Sequence, residues 1–342
     1  MSSCRRHRAL IIPFSLLIVG VGAACSKSSS TPTTPSPGGS ATIAGQVLDG
    51  ATNQPVPGAA IHIDGVGDVT GAGDGSFAFG ASTASAALRA VMVTSPSTID
   101  RSTWAVLPGT SLTVTLMPAS LDLTAFNQMF RGNNGELHRW TSAPAAVLQR
   151  RALRFTTVND SSYVATASVM ADSQADAILG DLAWAMPQLS ANVFPAFSSV
   201  QRETAAEGEV VATNRPGTVV VALTEGLTAT TGFAGYTRWA WNGAGEMLQA
   251  VIVFDRNFDS SATPYRRAVR AHELGHALGY NHVTARPSVM DPSGTIEPNQ
   301  FDRDGARIAF LRPILNRSPD ADPKPAINTS ARSNTVTWTG AP

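Results

Sequence analysis

Cysteine is nearly absent from this 342-residue chain, which holds only Cys4 and Cys25. Both fall in the first 25 positions, so no disulfide can staple the remainder, and its stability must come from core packing or a bound metal. Lysine is equally scarce: of 25 basic residues only Lys27 and Lys324 are lysines, a bias we read as genome composition and not as function. A basic excess is missing too. The 25 basic residues meet 25 acidic ones, and a chain without a positive footprint is not built for nucleic acid. Nor is there an apolar run of the roughly 20 residues that a comfortable membrane span needs. The uncharged stretch Ala9 to Gly22 is only about 14 residues long and is interrupted by Pro13 and Ser15.

That stretch, preceded by Arg5, Arg6 and Arg8, has the charged and apolar regions of a secretory signal. Val21-Gly-Ala-Ala-Cys25 resembles the lipobox of bacterial lipoproteins, with Gly22 where a leucine is usual. The resemblance implies removal of residues 1–24 and a membrane anchor through a lipid on Cys25. Ser26 after the cysteine, in place of Asp, implies the outer membrane, on its periplasmic or cell-surface face. Without a lipid, cleavage near Ala24 would give a secreted chain. Losing the three arginines leaves 22 basic against 25 acidic residues, a net charge of −3. Residues 25–40 are then an extended tether, because Ser26 to Ser40 is almost wholly Ser, Thr, Pro and Gly and cannot bury enough apolar surface to order itself.

With 43% apolar and 15% charged residues, the chain can bury a sizeable core. Residues 41–118 are punctuated like an all-β module. Thr42 to Leu48 and Ala60 to Ile63 alternate, Asn53 to Gly58 turns, Asp74-Gly75 leads a hairpin into Ser76 to Phe79, and strands follow near Leu88 to Val93 and Leu112 to Leu116. The segments Ala44-Gly-Gln-Val-Leu-Asp49, Pro57-Gly-Ala-Ala60 and Asp74-Gly-Ser-Phe77 are similar to the carboxypeptidase-regulatory-like family of small prealbumin-like sandwiches. Such modules act as spacers or adhesion surfaces. His62 is the one ligand candidate here and is expected at an exposed alternate position of its strand.

Residues 121–316 change character. Asp122 to Phe130 has helical spacing, broken by Arg131 to Gly135. Leu153 to Val158 predicts a strand, and Asp172 to Met186 predicts a helix with Ala175, Ile178, Leu179, Leu182 and Met186 on one stripe, ended by Pro187. Val219 to Leu223 is a buried strand, and Tyr236 to Trp241 and Leu248 to Phe254 form a hairpin around Gly243 to Gly245. Thr263 is expected to cap a helix that has Pro264 in its first turn and runs to Leu278. Strands with two long helices in this order fit an α+β domain, a twisted sheet over the helix that carries the site. Residues 317–342 are Pro-rich and polar and are expected to be a tail, with a strand available at Thr335 to Thr339.

The chemistry is concentrated in His272-Glu-Leu-Gly-His-Ala-Leu-Gly-Tyr-Asn-His282. On a helix, His272 and His276 share a face and can reach one ion at about 2.0–2.1 Å. Glu273 lies one residue around, placed to take a proton from water and not to bind the metal. Gly279 can turn the chain out of the helix and return His282 as a third ligand, leaving a fourth position open. At this composition a bare HExxH arises by accident in on the order of a few chains per thousand, whereas adding Gly279 and His282 lowers the rate to on the order of a few per million. His138 has no partner at ligand spacing and is expected to be structural or at the surface.

These residues resemble the signature of the metzincin zinc endopeptidases, HExxHxxGxxH followed by a Met-turn. Ser288-Val-Met-Asp-Pro292 is similar to that turn, with Met290 eight residues after His282 as in the matrixin branch. The resemblance implies one catalytic Zn2+ on His272, His276 and His282, Met290 packed beneath them as an apolar floor, and a closing helix, for which Gln300 to Leu311 has the pattern. Val283 after His282 differs from one astacin-like branch, no Tyr follows Tyr280, and no cysteine-switch motif is present. A structural Ca2+ is left open, with no residue pattern to support it. The expected activity is hydrolysis of a protein or peptide that adds to the edge strand Tyr236 to Trp241, with Glu273 as general base. The alternatives are a tethered binding or adhesion protein with a vestigial metal domain, and a zinc hydrolase of non-peptide substrates. Oligomeric state is not encoded in any of these features.

Overall fold

Alternation of apolar and polar residues produces the first eight strands of the computed structural model, which describes residues 43–80, 87–107, 111–132, 134–155, 162–294, 296–325 and 334–339. The signal, Cys25 and the tether lie outside the described residues, as do Thr156 to Val158 of the strand expected from Leu153. The strands are β1 (Ala44–Asp49), β2 (Ala60–Ile63), β3 (Gly67–Thr70), β4 (Ser76–Ala78), β5 (Ala87–Thr94), β6 (Thr98–Ile99), β7 (Arg101–Leu107) and β8 (Leu112–Pro118). They make two four-stranded sheets, ordered β4-β1-β8-β6 and β3-β2-β5-β7. Val47, Phe77, Val114 and Leu116 of the first and Ile61, Ile63, Val91 and Val93 of the second share one buried cluster, so the sheets face each other across it. Each such side chain contributes roughly 1.5–3 kcal/mol on burial.

The second half is mixed. Helix α1 (Leu123–Arg131) is capped by Asp122, whose carboxylate accepts the Ala125 N–H at 3.0 Å. There follow β9 (Ala145–Arg154), β10 (Ser162–Val169), α2 (Asp172–Leu189), β11 (Val200–Glu203), β12 (Val210–Ala212), β13 (Thr218–Glu225), α3 (Leu227–Thr231), β14 (Gly235–Trp241), β15 (Met247–Asp255), α4 (Thr263–Ala277), α5 (Gln300–Phe310) and β16 (Asn334–Thr339). One curled eight-stranded sheet runs β12-β10-β9-β13-β15-β14-β16, with β11 beside β9. Strand β13 is parallel to both β9 and β15, while β14 is antiparallel to β15. Period-two alternation sends Val219, Val221, Ala250, Ile252 and Phe254 into the core with α2 and α4. Val220, Ala222, Val251 and Val253 go to the opposite cluster with Tyr163 and Tyr236. Among the described residues no helix is long and apolar enough to cross a membrane.

Several elements differ from the sequence expectation. Pro187 lies inside the last turn of α2 and does not end it. Its ring removes one helical bond, and the carbonyl it would have served, that of the exposed Ala183, is open to water. Thr263 is the first residue of α4 and no cap, since the cap position is Ala262 and no side chain bonds there. The strand expected from Leu153 starts earlier, at Ala145.

The expected tail is partly structural. Asp320 and Asp322 are buried in a cluster with Arg101, Arg131, Arg312 and Asn316. Arg312 clasps Asp320 through two bonds of 2.7 Å, Arg101 meets Asp322 at 2.7 Å, and Asn316 donates to both carboxylates. Thr115 of β8 receives Arg312 Nη1 at 2.8 Å, so this cluster joins the two-sheet module to the second half. Met117 buries into the second-half core beside it, with Ala51 and Ile99 packed against that core. A Pro-rich, polar composition hides this role because the partners lie up to 221 positions away.

Candidate metal centre

The site is assembled where α4 ends. Gly279 takes φ of +102°, a region open to glycine, and Tyr280 N–H and Gly279 N–H return to the Gly275 and His276 carbonyls, the paired bonds of a Schellman motif. A Cβ on Gly279 would stand 2.9 Å from the His138 carbonyl oxygen, so the position is closed to other residues sterically as well. Trp140 Nε1 covers the Ala277 carbonyl at 2.8 Å. The chain thus reverses within three residues and brings His282 back toward the helix.

Three imidazoles then converge. His276 Nε2 lies 3.1 Å from His272 Nε2 and 3.1 Å from His282 Nε2. Ligands about 2.0–2.1 Å from a tetrahedral ion would be about 3.3 Å apart, so the spacing is that of a metal cage to within a few tenths of an ångström. The tautomers agree. His272 Nδ1 donates to the Val289 carbonyl and His276 Nδ1 to the Tyr280 carbonyl, each at 2.7 Å; because a carbonyl can only accept, both Nε2 atoms carry lone pairs. Burial drives the His272 ring down to about 3, with His282 adding to the effect, and drives His276 well below its ordinary value. His282, half-buried, is also lowered by burial. Neutral, lone-pair-bearing imidazoles facing one another are a donor set for a cation.

Glu273 sits beside them, fully buried. Thr237 of β14 donates its hydroxyl to Oε2 at 2.6 Å, and Oε1 has no hydrogen-bond partner. Burial pushes this carboxyl up to about 8, only partly offset by Thr237. Trp239, two residues further along the same face of β14, stacks on His276 with centroids 5.7 Å apart. Sequence reasoning missed both residues, although the alternation of β14 sets 237 and 239 on one face.

The turn at Ser288 to Asp291 packs under the same helix. Met290 is buried beneath the helix, and a Cβ on Gly275 would meet its sulfur at 2.4 Å, so the glycine makes room for it. Asp302 of α5 holds the turn: it accepts the Ser288 hydroxyl at 2.6 Å, the Val289 N–H at 3.0 Å and the Asn299 N–H at 2.8 Å. The Val289 carbonyl in turn receives His272, so Asp302 orients that ring through the backbone of a single residue. In the sequence Asp302 is only an acidic residue near the start of the Gln300 to Leu311 helical pattern, and nothing there marks this role. Of the other histidines, His138 is half-buried, packs at a tilt against Trp241 and bonds Asn134, and His62 is exposed between Asp64 and Asp68. Neither joins the cluster, and among the described residues His272, His276 and His282 are the group able to hold a metal ion.

No family model matches this chain, and no curated protein matches it.

Proposed function

We propose that the chain is an exported, lipid-anchored, zinc-dependent endopeptidase of the metzincin type, carrying a prealbumin-like module before its catalytic domain. The observation that carries this reading is the convergence of three imidazole Nε2 atoms beside a buried carboxylate with one oxygen free. Three histidines without a fourth protein ligand are the donor set of catalytic zinc sites, and imidazole suits zinc among the available divalent ions. A zinc ion held there supplies Lewis acidity, polarising a carbonyl oxygen and lowering the pKa of water to about 7. Glu273 does the proton work: its free Oε1 accepts a proton from the attacking water and then delivers it to the leaving amine. Thr237 fixes the other oxygen, so the carboxylate presents one face. The Val289 and Tyr280 carbonyls hold His272 and His276 in the tautomer that leaves Nε2 unprotonated.

Purified mature chain should hold one zinc per molecule and cleave casein or a peptide library, with hydrolysis lost on chelation and regained on adding zinc. His282→Ala should lose both metal and activity. The second reading, a tethered binding protein with a vestigial metal domain, draws on the complete burial of Glu273. A fully zinc-loaded chain that cleaves no peptide would move the conclusion to it.

A further inference from the structure

The strand expected to receive an extended peptide is not a free edge. One side of β14 pairs with β15, and the other pairs with β16, antiparallel, from Tyr236↔Thr339 to Trp241↔Asn334. The register sets Val336 to Trp338 opposite Thr237 to Trp239, the two ends of which touch Glu273 and His276. We propose that Asn334–Thr339 is a substrate-like strand held in cis, which must leave β14 before an extended peptide can be bound for cleavage.

One strand edge offers one ladder. Backbone N–H and C=O groups carry no side-chain information, so any extended peptide running antiparallel to β14 makes the same bonds as β16 and excludes it. The segment suits the role: it is uncharged, with β-branched Thr335, Val336, Thr337 and Thr339 and the aromatic Trp338. Among the described residues it is the end strand of the sheet and pairs with β14 alone. Its origin is anchored, because Asp320 and Asp322 are fixed in the buried arginine cluster. A short connection from there holds the strand at an effective concentration of about millimolar, well placed to compete with peptides whose KM is typically about 1 μM–1 mM.

The inference rests on the peptidase reading, and the test separates the two. Two variants of the mature chain are compared with wild type: one ending at Pro325, which keeps Asp320 and Asp322, and a full-length Val336→Pro, Thr337→Pro double substitution. In an antiparallel ladder one of those two N–H groups faces β14, so the double substitution removes a ladder bond. Hydrolysis of a library-derived peptide is measured first. We expect kcat/KM to rise about tenfold or more in both variants, mainly through KM. The second readout needs no catalysis: a fluorescent synthetic peptide of residues 333–340 is titrated into the Glu273→Ala forms and followed by anisotropy. It should bind the shortened and double-proline forms and not the full-length one. Peptide binding confined to the altered forms, with no hydrolysis by any form, would uphold the strand exchange and sink the peptidase reading. Unchanged kcat/KM in both variants, or equal peptide binding by all forms, would overturn the cis-strand proposal while leaving the peptidase reading in place.

Discussion

Two of the buried polar clusters among the described residues are built on opposite terms. In the cluster of Arg101, Arg131, Arg312, Asn316, Asp320 and Asp322, every carboxylate oxygen accepts at least one bond, and only Nε of Arg101 and of Arg131 lacks a partner. Burial still lowers Arg131 to about 10, which measures how strongly that environment resists charge even when it is paired. In the candidate metal centre, His272 and His276 carry lone pairs on Nε2 atoms that converge with Nε2 of His282, and Oε1 of Glu273 has no hydrogen-bond partner. Buried polarity closed on itself holds parts together, whereas buried polarity left open is addressed to a guest. An orphaned buried acceptor ordinarily costs about 1–3 kcal/mol.

The contrast can be broken at its strongest point first. Glu273→Gln keeps the shape and the Thr237 contact but removes the base, so peptide turnover should fall by about 10²–10⁴-fold with zinc content unchanged. Measuring both on one preparation decides it, and wild-type turnover in the variant would end the proposed division between ligand and base. The closed cluster should respond differently. Asp320→Ala leaves Arg312 charged and buried without its two-bond partner, at a cost of about 3–5 kcal/mol in denaturant unfolding. That loss should be the same with and without zinc, and a zinc-dependent loss would show that the two clusters are not separate.

A weaker difference should appear in how stability depends on pH. In the metal-stripped chain the three histidines are depressed below 6.5, so the unfolded chain gains protons that the folded one refuses as pH falls below 6.5, down through about 3 for His272. Their contribution is complete above 6.5 and is lost in acid. Glu273 has the opposite sign: raised from 4.5 to about 8, it contributes fully below 4.5 and loses that contribution as pH rises to about 8. Between 4.5 and 6.5 three histidines outweigh one glutamate, and above 6.5 the glutamate acts alone. Stability of the stripped chain should therefore peak near pH 6.5, and saturating zinc should remove the decline above it, because a cation favours the carboxylate. Unfolding midpoints across pH with and without zinc test this, and a stripped chain that keeps gaining stability to pH 8 contradicts it.

The part of the site that sequence exposes is the part encoded by local spacing. His272, Glu273, His276, Gly279 and His282 lie within eleven positions, and the helix and the turn that join them follow from 3.6-residue periodicity and one left-handed glycine. Helix α5 and the β14–β15 hairpin were visible for the same reason. What stayed hidden is pairing across the chain. Thr237 lies 36 positions from Glu273, and periodicity tells which face it occupies but not which side chain it meets. Asp302 looks like any acidic residue at a helix start until Ser288 and Val289 are folded against it. The arginine cluster is the extreme case, since charges on Arg101 and Asp322 carry no mark that they will be buried together.

That long closure also changes what a cut would do. The described chain passes from the two-sheet module to the second half once, near Ala119 to Leu121, yet Arg101 and Thr115 are held by Asp322 and Arg312 from the far end of the fold. The backbone bridge is therefore redundant as a fastener. A molecule nicked at that junction would keep its halves clasped by the bonds of Arg101 with Asp322 and of Arg312 with Thr115.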